Sequence, residues 1–68
     1  MKRFYPYDTD NPIIVDELRQ YCYDNNIYRE VSECFGGWHF EIKMSEEEAE
    51  KMTWFLESII DMVNGEYK

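Results

Sequence analysis

The stretch VSECFGGWHFEIK, residues 31–43, decides the fold. Val31, Phe35, Trp38, Phe40 and Ile42 share it with Ser32, Cys34, His39, Glu41 and Lys43 in the two-residue alternation of strands that bury one face. Gly36 and Gly37 interrupt that alternation. Two glycines can both take the positive φ that a type I′ turn requires, so the spacing predicts a tight antiparallel hairpin with this pair as its loop. In that register Phe35 faces Trp38, Cys34 faces His39, Ser32 faces Glu41, Val31 faces Ile42 and Glu30 faces Lys43. Glu33 then falls on the apolar face, and is accommodated either at the sheet edge or by a bulge that turns it outward.

Working outward, the period changes to that of a helix on both sides. Residues 45–64 begin with Ser45 and Glu48, a capping box in which the hydroxyl and the carboxylate each take an orphan backbone N–H. Glu46, Glu47 and Glu48 add negative charge at the positive end of the helix dipole. Ala49, Met52, Leu56, Ile59 and Val63 recur at steps of three and four as a buried stripe, widened by Phe55 and Ile60, and Asn64-Gly65 supplies a stop. On the other side Asp10-Asn11-Pro12 starts a helix over 11–25, with Ile14, Leu18, Tyr21 and Cys22 as its apolar face. Residues 1–10 read as an N-terminal extension, 27–35 and 38–44 as the two strands. The expected fold class is therefore α+β: one small αββα domain whose two-stranded antiparallel hairpin packs against two helices. A two-stranded ribbon is marginal alone, so both helices should cover its inner face, or a second copy should extend the sheet.

Sixty-eight residues allow one domain with a thin core. The formal charge is −8 and lies unevenly: residues 1–29 hold four basic and five acidic side chains, whereas residues 30–68 hold three and ten. Such a field repels phosphate backbones and anionic membranes, which argues against direct nucleic-acid or membrane binding and for a basic protein surface as partner. Met1-Lys2-Arg3 leads into Phe4-Tyr5-Pro6-Tyr7-Asp8 and not into an apolar run, so neither a signal peptide nor a membrane helix is expected and cytoplasm is the expected compartment. Cys22 and Cys34 are read as reduced thiols.

On the second helix Glu46, Glu50, Trp54, Glu57 and Asp61 fall within a sector about 80° wide on the side away from the Met52–Val63 seam, a row about 22 Å long. Two readings of Trp54 stand: an indole tucked under a neighbouring loop or the N-terminal segment, or a contact residue open to a partner. The chain is rich in aromatics, 18%, more than a core this small can hide. Phe35, Trp38, Phe40 and Phe55 suit the core. Tyr5, Tyr7, Tyr23, Tyr28 and Tyr67 should keep their hydroxyls wet, as interface tyrosines do.

No catalytic or metal signature is present, and no cofactor is expected. Cys34 opposite His39 would make a thiol–imidazole pair, but no third group to orient it and no oxyanion site are apparent. Adding Glu41 falls short of a four-ligand zinc site, and the Glu46–Glu50 run lacks the interleaved turn glycine of a calcium loop. In general character the chain resembles the small acidic inhibitors encoded by phages and mobile elements, including anti-CRISPR proteins and other nucleic-acid mimics. That resemblance lies in composition and transfers no site. The expected function is non-enzymatic: Glu46, Glu50, Glu57 and Asp61 steer toward a basic surface on a nuclease or other nucleic-acid-binding complex, Trp54 anchors the contact, and Glu30, Glu33 and Glu41 extend the acidic area across the hairpin. The competing expectation is a homo-oligomeric or accessory subunit that assembles through the hairpin edge or Trp54.

Overall fold

A computed structural model describes residues 1–66. The elements run β1 (Arg3–Thr9), α1 (Pro12–Asp24), β2 (Tyr28–Cys34), β3 (Gly37–Met44) and α2 (Glu46–Glu66). The class is α+β, but the sheet has three strands in the order β1-β3-β2, antiparallel throughout. The segment expected to be a mere extension is thus an edge strand, and the αββα arrangement gives way to βαββα. Pro6 hides β1 from a sequence reading, because proline cannot donate to a ladder and argues against a strand. At an edge the objection fails, since one side of the strand bonds to nothing.

The turn explains which side that is. The loop consists of Phe35 and Gly36, not Gly36 and Gly37, and Cys34 pairs with Gly37. With two residues between them, Cys34 and Gly37 exchange both backbone hydrogen bonds, and alternation then directs the odd residues of β3 toward β2 and the even ones toward β1. Tyr5 and Tyr7, opposite Ile42 and Phe40, therefore bond to β3, whereas Phe4, Pro6 and Asp8 turn their backbone groups outward. The missing N–H of Pro6 costs nothing there.

Gly37 belongs to the strand for a steric reason. A Cβ at this position would stand 2.6 Å from the Thr9 carbonyl oxygen and 3.2 Å from Asp10 Cα, so only glycine lets the end of β1 lie against β3. Gly36, at φ +83°, supplies the positive φ in the turn. A type I′ turn needs two such residues and is not formed. The whole β2–β3 pairing is consequently offset by two from the expected register: Val31 meets Phe40, Glu30 meets Glu41, and Ser32 meets His39. An offset of two preserves which face each side chain occupies. Phe35 is the casualty. Assigned to the core from sequence, it sits in the turn and is fully exposed.

Both helices pack on one face of the sheet. Phe40, Ile42 and Met44 from β3 meet Val15, Leu18 and Cys22 of α1, Met52 of α2 and Ile27, all buried. Ile14, Ile59 and Val63 join the helices in a smaller cluster, and the rings of Tyr21 and Phe55 pack 4.2 Å apart between them. Helix α1 starts as expected: the Asn11 side chain accepts from the Ile13 N–H at 2.9 Å, with Pro12 in the first turn. It ends at Asn25 and Asn26, the latter at φ 54°. Helix α2 has the expected capping box, Ser45 N–H donating to Glu48 at 2.9 Å and Glu48 N–H to Ser45 Oγ at 3.1 Å. It passes through the expected stop at Asn64-Gly65. Ile60, expected in the buried stripe, lies on the exposed side.

Two glycine substitutions should act in opposite directions. Gly37→Ala should unseat β1 and lower the chemical-denaturation midpoint, while Gly65→Ala, with open space around the added methyl, should raise stability by up to about 1 kcal/mol through helix propensity.

Candidate functional site

Helix α2 presents Glu46, Glu50, Trp54, Glu57 and Asp61 to solvent, all five exposed. Trp54 is 67% exposed, so the indole is not tucked beneath a loop or the N-terminal strand. The reason is architectural. The segment that was a candidate cover is committed to the sheet as β1, with its tyrosines turned inward against the core. Met62, 58% exposed, and Ile60, 38% exposed, flank the acidic row and give it apolar borders that helical periodicity alone did not single out. Every side chain of the row comes from one helix, which fixes the spacing of their backbone positions.

The N-terminal end of the row is partly balanced. Lys2 Nζ lies 3.5 Å from Glu48, and Glu48 is held below its ordinary carboxylate value, chiefly by the Ser45 backbone N–H. The Arg3 guanidinium lies over the Tyr5 ring, 4.9 Å from its centre. Interaction with Tyr5, and to a smaller degree with Glu46, raises its already high pKa. A groove of about 360 Å³ runs between β1 and α2, lined by Tyr5, Tyr7, Met44, Met52 and Leu56 and rimmed by Arg3, Glu46 and Glu50. The ion pair and the shifts thus lie at the N-terminal end of α2, and none of them involves Glu57 or Asp61.

The remaining expected contact residues do not join this surface. Glu30 and Glu41 stand opposite one another on the sheet face that no helix covers. Glu33 is on the helix-bearing side but at the turn end, opposite Trp38, exposed at an edge strand with no bulge. The acidic area is therefore divided: α2 carries one part, Glu30 and Glu41 carry another on the open sheet face, and Glu33 stands apart at the turn end.

On that open face His39 stands between Asp8 of β1 and Ser32 of β2. Its Nδ1 bonds the Asp8 carboxylate, and Nε2 lies 3.7 Å from Glu41. The hydrogen bond to Asp8 is the main cause of a pKa raised above the ordinary histidine value. Cys34 is opposite Gly37 and not His39, so the thiol–imidazole pairing inferred from the expected register does not occur. Both cysteines are free: Cys34 is exposed, and Cys22 is buried with its thiol pKa pushed up by that burial. Farther along the face Tyr28 donates to Glu30 at 2.9 Å, Phe4 meets Tyr28 edge-on at 6.3 Å, and Lys43 lies 5.9 Å from the Phe4 ring centre. Tyr67 lies outside the described residues. Among the described residues no group of three or more His, Cys, Asp or Glu side chains is arranged to hold a metal ion, and no helix is long and apolar enough to cross a membrane.

No protein-family model matches the chain, and no curated protein and no solved structure matches it either.

Of the shifted groups, Glu48 and His39 predict a stability profile with slopes on both sides of neutrality. Glu48 has a lowered folded pKa, so its contribution is complete above the ordinary carboxylate value of about 4.3 and is lost as pH falls through the lowered one. His39 has a raised folded pKa, so its contribution is complete below about 6.5 and is lost as pH rises through the raised value. Thermal melts of Glu48→Gln should lose part of the acid-side slope, and those of Asp8→Asn part of the slope above neutral onset. A wild-type profile flat from pH 6 to 9 would contradict the assignment of His39. Thiol titration should label Cys34 in the folded chain and reach Cys22 only on unfolding.

Proposed function

We propose that this chain is a non-enzymatic, acidic protein-binding inhibitor that occupies the basic nucleic-acid-binding surface of a partner, in the manner of the anti-defence nucleic-acid mimics of phages. The observation that carries the reading is Trp54, an open indole in the middle of four carboxylates on one rigid helix face. An isolated solvated face has no need of the aromatic. A binding face does, because tryptophan supplies a large, rigid anchor that charged neighbours cannot.

Magnitudes are consistent with this role. The row from Glu46 to Asp61 spans about 22 Å, comparable to roughly six nucleotide steps of one strand at 3.4 Å each. Carboxylates at that density attract a cationic channel from a distance and compete with its polyanion by mass action. A standard contact takes about 800 Å² from each partner, about a sixth of the 5124 Å² surface here. Met62 and Ile60 supply apolar border area around the indole, so the contact does not rest on charge alone. The opposite acidic face, with Glu30 and Glu41 beside His39, lies across the sheet from α2, and in this reading Glu30 and Glu41 serve solubility and not binding.

The test is affinity capture on the immobilised chain at low salt, followed by a competition assay on the captured protein with its own labelled nucleic acid. The chain should displace the nucleic acid. Neutralising Glu46, Glu50, Glu57 and Asp61 together should slow association and flatten its dependence on salt, and Trp54→Ala should accelerate dissociation by roughly tenfold or more. Binding that ignores both salt and the four-acid variant would end the electrostatic account.

A further inference from the structure

The sheet has two free edges, and they are unequally protected. The outward edge of β1 carries Pro6, which cannot donate at the middle of the strand. The outward edge of β2 carries no proline and no lysine over seven residues. The alternation set by the Cys34–Gly37 pair turns the backbone groups of Arg29, Val31 and Glu33 away from β3. No hydrogen bond among the described residues reaches those groups from outside the sheet. We infer that β2 pairs antiparallel with β2 of a second copy of this chain, about a two-fold axis through Val31, to form a continuous six-stranded sheet.

Charge selects that register from the others. With Val31 opposite the partner's Val31, Arg29 falls opposite the partner's Glu33, and symmetry repeats the pair. Both residues lie on the helix-bearing side, where Arg29 Nε is buried without a hydrogen-bond partner and Glu33 is exposed. On the open face Glu30 falls opposite the partner's Ser32, which separates like charges. Sliding one strand by two residues in either direction keeps the backbone bonds possible but loses these matches. One slide sets Glu30 against the partner's Glu30, at the close side-chain spacing of a non-hydrogen-bonded pair; the other sets Arg29 against the partner's Phe35. The axis stands perpendicular to the sheet, so all four helices lie on one side and the two α2 faces are displayed together. The inference does not rest on the inhibitor reading: it uses β2, and that reading uses α2.

Sedimentation velocity decides it. The wild-type chain should sediment as a dimer. Val31→Pro removes an outward N–H that β3 does not use, so it should keep the native circular dichroism and yield monomers. Glu33→Arg and Arg29→Glu each juxtapose like charges twice and should weaken self-association by about tenfold or more. Mixed together, the two single variants should form a heterodimer, because both pairs between positions 29 and 33 are then of opposite sign. A monomeric wild type would overturn the inference, as would dimers that persist in folded Val31→Pro, or a mixture of folded variants that stays monomeric.

Discussion

Strand β3 bears most of the structure. It is the one strand bonded on both sides, and its inward residues Phe40, Ile42 and Met44 form the floor on which both helices sit. A chain of this length buries too little surface to tolerate a second weak layer, so the close fit of β1 against β3 has general consequences. That fit depends on the absence of a side chain at Gly37, where the Thr9 carbonyl leaves no room for a Cβ. Once β1 is seated, Tyr5 and Tyr7 close the side of the core that a two-stranded ribbon would leave wet. The same seating brings Asp8 to His39, and Lys2 and Arg3 to the start of α2.

Net charge of this size works against a compact state, and the fold manages it by separation. The acids of α2 and the hairpin pair Glu30 and Glu41 occupy opposite sides of the sheet, Glu33 stands apart at the turn end of the helix-bearing side, and local partners temper the ends of the two main groups. The first turn of α2 has its helix dipole, its capping serine and Lys2. The open face has His39 between Asp8 and Glu41, although Glu30 and Glu41 remain directly opposed across two strands. The stretch of α2 around Trp54, Glu57 and Asp61 has no such compensation from the N-terminal basic residues. That stretch also carries the open indole.

The edges show the same division of labour. Pro6 costs β1 nothing and blunts its outer side, whereas β2 leaves a regular row of backbone groups beside side chains that complement themselves under two-fold rotation. Self-pairing at β2 and partner binding at α2 use different parts of the molecule. A dimer built this way doubles the acidic helix faces on one side of a wider sheet and leaves the row itself uncovered.

Local signals were legible wherever the cause was local. The Ser45–Glu48 box, the Asn11-Pro12 start, the two helical stripes and the alternation of the hairpin all follow from contacts within a few residues, and the sequence alone determined them. It also determined which side chains share a sheet face, since parity survives an offset of two. The position of the turn, the third strand and the exposure of Trp54 were decided only by tertiary structure. Whether the loop is Phe35-Gly36 or Gly36-Gly37 depends on Thr9, more than twenty-five residues away, whose carbonyl demands a glycine in the strand at 37. Whether a proline-containing segment is a strand depends on its lying at an edge. Whether the indole is covered depends on where that segment goes. Each is a long-range steric question, and periodicity carries no information about distance across the fold.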